Sequence, residues 1–152
     1  GVQLRDVSVG AVGLANEGAL RASYGLNDED TRKVAFGIAR AAEVHFAAGA
    51  TEVYPNIPRV GVLKPKDLPQ FEATRFKASE LRLEAFHPMG TARIAPEGEG
   101  VCDSRGAVRG VDGLYVADAS LFPTAVGVNP MMTIIAFSKR VAAEVAEATP
   151  AA

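Results

Sequence analysis

The sequence feature that most constrains the fold is the stretch VGVNPMM at residues 126–132. Asn129 is a favoured helix N-cap, and Pro130 fits the first helical position, where its missing N–H is not needed. Apolar side chains then recur at helical spacing, which predicts a helix from Met131 to about Ala148. Its first N–H groups and positive dipole end would face whatever lies beside Asn129, and such an end attracts an anion or an electron-rich carbonyl.

A second stretch, HPMGT at residues 87–91, carries the best general base of the chain. Residues 81–86 alternate between apolar and polar side chains, which predicts a strand leading into His87. A neutral imidazole accepts a proton near neutral pH, and Gly90 lets the backbone approach a ligand closely. By its position alone, His87 would more often be a hydrogen-bonded structural histidine at a strand end, and the flanking HPMGT with the downstream VGVNP reverses this preference towards a catalytic base.

Between these stretches, residues 113–120 form a short apolar β-type run that breaks into an acid and two small residues. This pattern favours a strand that delivers its backbone close to a ligand. Asp118 would then lie near the ligand or close an Asx turn. The amide of Asn129 would hydrogen-bond a substrate oxygen or cap the helix. Met131 and Met132 would offer backbone N–H groups to a ligand, with side chains that line a core or a pocket.

The first half of the chain predicts one long helix. Asn27 or Asp28 caps an acidic first turn, and Gly49 ends the helix. Its apolar face is expected to contain Val34, Ile38, Ala41 and His45, with Ala42 and Phe46 beside them. The other expected elements are strands within residues 2–14 and 51–54, an extended piece at 24–26, a proline-rich connection over 55–70, a short helix over 71–79 and an exposed loop over 94–106.

Length, charge and cysteine content argue against several classes of partner and site. The chain has 152 residues, the length of one domain, and its net charge of -2 argues against a nucleic-acid partner. No run approaches the 18 apolar residues of a membrane span. The single cysteine, Cys102, excludes an internal disulfide, has no partner at metal-ligand spacing and fits a reducing compartment, so a cytoplasmic location and no metal site are expected.

Taken together, HPMGT, GVDGLYVADASLFPTAVGVNPMMTI and the final amphipathic helix resemble the C-terminal part of the glucose-methanol-choline (GMC) flavoprotein oxidoreductases. The resemblance is closest to the sterol-oxidase-like and long-chain-alcohol-oxidase-like members, which also contain VGVNP. It is strong from Phe86 to about Val145 and weaker over residues 24–53.

The resemblance implies a mixed α+β fold. The chain would hold the C-terminal portion of a GMC-type FAD-binding Rossmann-like domain and part of a substrate-binding mixed sheet. Residues 1–80 would belong to the substrate-binding sheet with one long helix. Residues 81–152 would supply the active-site loop, the FAD-contacting strand and turn, and the C-terminal helix.

The resemblance also implies FAD-dependent oxidation of an alcohol, a CH–OH donor, to an aldehyde or ketone, with hydride transfer to flavin N5. His87 would be the catalytic base, and Asn129 would be its partner, at a position where the family has His or Asn. Cofactor contacts would come from Asp118, Ala119, Asn129, Pro130 and Met131. The family often continues HPMGT with CRMG, whereas this chain has ARIA at residues 92–95.

The family's GxGxxG nucleotide fingerprint has no match, because GAVG at residues 10–13 lacks the spacing. A complementary N-terminal flavin-binding portion or subunit is therefore the expected partner, and activity would require it. The resemblance to the subgroup with VGVNP in place of a His-containing motif implies a bulky apolar alcohol as substrate rather than a free sugar. An apolar set expected around the site agrees with this: Phe86, Phe122, Val126 and Met132. The alternative is a non-catalytic structural or interaction subunit that retains the fold and binds no flavin.

Overall fold

The computed structural model describes residues 1–149, apart from the side chain of Glu17. The chain divides into two compact units, and the boundary in the sequence falls between Glu84 and Ala85. The elements are strands β1 (Ala11–Leu14) and β2 (Leu20–Ser23) and helices α1 (Asp28–Ala47), α2 (Leu68–Ala73) and α3 (Met131–Ala148). This combination confirms the predicted mixed α+β class. The roles assigned to residues 1–80 and 81–152 stay predictions.

Helix α1 begins and ends where the sequence predicts. The side chain of Asn27 caps it by accepting a hydrogen bond from the N–H of Asp30 at 2.8 Å. After Ala47 the chain turns at Gly49, whose φ of 96° lies in the left-handed region that glycine tolerates best. The buried side of α1 presents Ala39 and Ala42 to the core of the first unit, which also contains Ile57, Leu63, Phe71 and Leu81.

The N-terminal segment is fastened to α1 by one carboxylate. Asp30 is 0% exposed, and its Oδ2 accepts from the N–H of Val7 at 2.9 Å, the N–H of Ser8 at 2.7 Å and the hydroxyl of Ser8 at 2.5 Å. Lys33 donates to Oδ1 at 3.1 Å. Burial raises the pKa of Asp30, but these hydrogen bonds, led by the Ser8 hydroxyl, outweigh it and lower the pKa from 3.8 to about 2.

The only sheet among residues 1–149 is the antiparallel pair β1–β2, with Leu14 opposite Leu20 and Ala11 opposite Ser23. All eight residues of the two strands are exposed, so the hairpin does not contribute to a core. The predicted strand within residues 2–14 is confirmed as β1. The extended piece expected at 24–26 follows β2 but forms no strand.

Three local predictions in the connecting segments are wrong. Residues 51–54 form only a single bridge, between Val53 and Leu63. The short helix lies at Leu68–Ala73 rather than over 71–79, because the turn Pro65–Asp67 runs directly into it. Residues 81–86 form no strand, since they have no pairing partner among residues 1–149; of the alternating apolar set only Leu81 is buried.

The second unit is built on α3, whose bounds match the prediction. The inward stripe consists of Ile134, Phe137, Val141 and Val145, packed against a core of Cys102, Leu121 and Phe122. The expected loop at 94–106 is folded more tightly than predicted, because Cys102 is fully buried and forms bridges to Ile94 and Val108. Among residues 1–149 no helix is long and apolar enough to cross a membrane. The cytoplasmic location stays a prediction.

Asp30 should make the first unit sensitive to acid. Because its pKa is lower in the folded protein, its stabilising contribution is present above about pH 4 and is lost as the pH falls from about 4 to about 2. A shift from 3.8 to about 2 corresponds to about 2 kcal/mol. We therefore expect Asp30→Asn to lower the urea midpoint at pH 6, measured by circular dichroism, and to flatten its dependence on pH between 4 and 2.

The exposed Asp28, in the same helical turn, provides the matched control. The Asp28→Asn protein should keep the acid dependence of the parent, because that carboxylate is not buried. Equal acid dependence in the parent and in Asp30→Asn would show that Asp30 does not fasten the N-terminal segment.

Candidate active site

The start of α3 differs from the prediction in one respect. The N-cap position is occupied by Pro130, whose carbonyl accepts the first helical hydrogen bond from the N–H of Ile134 at 2.8 Å, and no side chain caps the helix. Asn129, predicted as the cap, lies one residue outside the helix and is exposed. The reason is that the ring of Pro130 is fully buried, which fixes the helix start at this residue. The amide of Asn129 is therefore not occupied by capping.

The N-terminal end of α3 is open. The N–H groups of Met131, Met132 and Thr133 have no acceptor among residues 1–149. Met131 falls in phase with the inward stripe of α3, since it lies three residues before Ile134, yet 66% of its surface is exposed. The inward face of α3 thus extends to its N-terminal turn, where no other described residue of the second unit covers Met131.

His87 is exposed, as are the neighbouring Phe86 and Pro88, and its imidazole makes no hydrogen bond within residues 1–149. The loop bends at Gly90, whose φ is 85° and whose Cα faces the carbonyl oxygen of Phe122: a Cβ placed there would lie 3.5 Å from that oxygen. The glycine therefore permits the positive φ, whereas a Cβ at this position would make only an ordinary van der Waals contact with residue 122. A strand does not lead into His87, in contrast to the prediction.

Asp118 ends the apolar run and closes a turn. Its Oδ1 accepts from the N–H of Ser120 at 2.8 Å, and a single turn of 3-10 helix, Ala119–Leu121, follows. The hydroxyl of Ser120 and then its N–H hold the pKa of Asp118 below its usual range, so the exposed carboxylate is ionised at neutral pH. The Asx-turn alternative is confirmed; contact with a cofactor stays a prediction.

Backbone hydrogen bonds join the loop that begins at His87 (the His87 loop) to the turn at residues 118–121 (the Asp118 turn). The N–H of Ala92 donates to the carbonyl of Ser120 at 3.0 Å, and the N–H of Ile94 donates to the carbonyl of Leu121 at 2.9 Å. The segment after HPMGT therefore runs alongside the segment after Asp118. His87 lies five residues before this short pairing on one segment, and Asp118 lies two residues before it on the other.

The turn is also attached to α3. The hydroxyl of Ser138 donates to the carbonyl of Ala117 at 2.5 Å, and the ring of Phe122 meets the edge of Phe137 with centroids 5.0 Å apart. Leu121 is completely buried between these contacts. All three predicted site segments, the His87 loop, the Asp118 turn and the N-terminus of α3, thus belong to one packed unit.

The arginines of the 93–109 loop have structural partners. Arg93 donates through Nε and one Nη to the carbonyl of Glu99 at 2.9 and 2.7 Å, and Arg109 donates to the carbonyl of Ala95 at 2.7 Å. Arg105 pairs with Asp103, which also accepts from the N–H of Ala107 at 3.0 Å. Within the described residues no group of three or more His, Cys, Asp or Glu side chains is arranged to hold a metal ion.

Some site residues were not found from the sequence, and some apolar ones were misassigned. The hydroxyl of Ser138 joins two site segments, and its only signal in the sequence was a small polar residue beside an apolar pattern. Phe122 and Val126, expected around the substrate, belong to the core of the second unit. Phe86 and Met132 are 77% and 72% exposed and remain available to a ligand.

Comparison with known sequences is consistent with this arrangement. The sequence model of the GMC oxidoreductase family matches residues 7–138. An uncharacterized GMC-type oxidoreductase of Mycobacterium tuberculosis is 35% identical over 147 residues, which cover 93% of this chain and 23% of that protein. A long-chain-alcohol oxidase of Arabidopsis thaliana is 33% identical over 142 residues, covering 86% of this chain and 19% of that protein.

A third relative, an uncharacterized GMC-type oxidoreductase of Sinorhizobium fredii, is 37% identical over 125 residues, which cover 79% of this chain and 24% of that protein. The chain therefore spans about a quarter or less of the length of these relatives. The family match extends from the N-terminal segment through the start of α3, and so includes the His87 loop, the Asp118 turn and Asn129. This chain belongs to the GMC oxidoreductase family and corresponds to its C-terminal portion.

Proposed function

We propose that this chain forms part of the active site of an FAD-dependent alcohol oxidoreductase, completed by an N-terminal flavin-binding portion. The open end of α3 is the observation that carries the proposal. Pro130 is buried and holds the helix start in place, while Asn129 and Met131 on either side of it are exposed. A fixed helix end with unbonded N–H groups is suited to stabilise negative charge on a bound group.

The residues of this unit fit a flavin. The N–H groups at the start of α3 can donate to the carbonyl of its pyrimidine ring, where reduction leaves negative charge. The ionised carboxylate of Asp118 can accept hydrogen bonds from hydroxyls, and Ala119 leaves room beside it. We assign the FAD contact to Asp118, Ala119, Asn129 and Met131, with Pro130 acting through its buried ring. When bound, FAD supplies the acceptor for the hydride that leaves the alcohol carbon.

His87 and Asn129 take the catalytic roles. The exposed imidazole of His87 is free of protein partners in residues 1–149, so a ring nitrogen can accept the hydroxyl proton of the substrate as the carbonyl product forms. Asn129 holds the same oxygen through its amide, which remains neutral at all relevant pH values. The absence of a capping bond at Asn129 supports this role, because the amide cannot serve both purposes at once.

A bulky apolar alcohol is the proposed substrate class. Exposed apolar side chains flank both catalytic residues: Phe86 precedes His87, and Val128 and Met131 surround Asn129 and Pro130. Such side chains gain free energy when an apolar ligand removes them from water. The similarity to a protein named as a long-chain-alcohol oxidase supports the same class.

The role of His87 can be tested in the complete enzyme, with this chain joined to its N-terminal portion. Replacing His87 with Ala should slow flavin reduction by substrate about 10²- to 10⁴-fold, because the proton acceptor is lost. The matched control is His45→Ala, which removes the exposed histidine of α1 and should leave the rate unchanged. Stopped-flow absorbance of the flavin measures both, and an unchanged rate in His87→Ala would remove His87 from the mechanism.

Substrate preference provides a second test. Turnover should be higher with a sterol or a long-chain primary alcohol than with glucose, since the apolar rim around Asn129 offers few partners for sugar hydroxyls. Initial rates at matched concentrations, reported as kcat/KM, decide the comparison. A clear preference for glucose would contradict the apolar assignment while leaving the role of His87 intact.

The isolated chain should self-associate and bind FAD weakly. It exposes the hairpin β1–β2 with its apolar Leu14 and Leu20, as well as Met131 and Met132, and such surfaces promote association. Size-exclusion chromatography should therefore show oligomers or aggregates, whereas co-expression with the N-terminal portion should yield a soluble yellow complex. A monodisperse monomer that melts cooperatively would contradict the prediction. A soluble complex without flavin would instead support the non-catalytic alternative.

A further inference from the structure

The segment that carries the proposed FAD contacts starts and ends on the same helix. At its C-terminal end, residue 129 runs directly into Pro130 and α3. At its N-terminal end, the carbonyl of Ala117 accepts the hydroxyl hydrogen bond of Ser138, in the middle of α3. Residues 118–129 are therefore attached to α3 at both ends, once covalently and once through a single side chain.

Ser138 is well placed for this contact. It lies seven residues after Met131, so the two share a face of the helix and are separated by about 10 Å along its axis. A serine inside a helix commonly donates to the carbonyl four residues before it. Ser138 donates instead to Ala117, whose carbonyl receives no other hydrogen bond within residues 1–149.

The other polar contacts of the turn do not reach α3. The N–H of Val116 donates to the carbonyl of Gly106 at 2.9 Å, and Asp118 bonds within its own turn to Ser120. The remaining contacts with α3 are apolar and include the rings of Phe122 and Phe137. An apolar contact is not directional, so Ser138 supplies the directional restraint between the helix and the Asp118 turn.

We propose that Ser138 is a positioning residue, which holds the Asp118 turn against α3 and so sets where Asp118 and Ala119 lie relative to the N–H groups at the helix start. This inference rests on the proposed function, in which those two groups contact one FAD. Ser138 touches neither cofactor nor substrate. It acts through the carbonyl of Ala117.

Hydrogen exchange on the complex of this chain with its N-terminal portion, after removal of the flavin, tests the contact without cofactor. Replacing Ser138 with Ala should speed exchange of the Ser120, Leu121 and Phe122 amides on the order of fivefold, the effect of losing one neutral hydrogen bond. Ser138→Thr keeps a hydroxyl and should restore slow exchange. The exposed Ser104, in a loop of the same unit, provides the matched control: Ser104→Ala should leave these amides as in the parent. Equal exchange in Ser138→Ala and Ser104→Ala would overturn the proposal.

FAD affinity of the complete enzyme, measured by flavin fluorescence, tests the role. Ser138→Ala should raise the Kd for FAD on the order of fivefold, with Ser138→Thr and Ser104→Ala near the parent value. An unchanged Kd in Ser138→Ala, with normal binding by the parent, would overturn the positioning role alone. If the parent itself bound no FAD, the proposed function would be overturned, and the positioning role with it.

Discussion

The burial of the Pro130 ring is the constraint on which the second unit depends. A proline at the start of a helix lacks an N–H that would otherwise need a partner, so it can be buried at little cost. Because the ring is fully enclosed, the first turn of α3 cannot move without disrupting the packing around it. The helix end therefore remains fixed even though Asn129 and Met131, its neighbours in the chain, are exposed.

In α3, the residues that pack in the core and the groups available to a ligand therefore occupy different parts of the helix. From Ile134 onwards the inward side chains of α3 fill the core, whereas its first turn leaves N–H groups and the Met131 side chain open. The Asp118 turn is attached to α3 through Ser138 and is hydrogen-bonded to the segment that follows His87. A rigid scaffold that presents a few exposed polar groups is the arrangement that binding and catalysis require.

Features set by local chemistry were predictable from the sequence. The N-cap at Asn27, the turn at Gly49 and the span of α3 each depend on residues within one helical turn, and the structure confirms them. Strands depend on a partner elsewhere, and this explains the failure over residues 81–86, where the alternating pattern finds no neighbouring strand in residues 1–149. The buried face of α1 is rotated slightly from the predicted one. Ala39, which was not predicted to face the core, is buried, whereas His45, which was, is exposed.

The candidate site, too, was predictable from the sequence only in part. The motifs around them, together with the resemblance to the GMC family, marked His87, Asp118 and Asn129, whereas residue type alone would not have separated His87 from His45. Which of the two uses of Asn129 applies could not follow from sequence, since it depends on whether Pro130 is buried deeply enough to take the cap position. The hydrogen bond of Ser138 could not be predicted for a related reason. A serine beside an apolar stripe makes such a contact only if the fold brings a carbonyl to it, here that of Ala117.

Two of the aspartates that accept backbone hydrogen bonds, Asp30 in the first unit and Asp118 in the second, show why exposure matters to function. Asp30 is wholly buried, and donors from Val7, Ser8 and Lys33 occupy its oxygens, so it can only stabilise the fold. Asp118 has its pKa lowered by Ser120 alone and remains exposed. Its turn fixes the carboxylate in place while leaving it accessible to a ligand. A carboxylate that is both oriented and accessible is the kind that a bound hydroxyl can use, which is why Asp118 rather than Asp30 belongs to the proposed site.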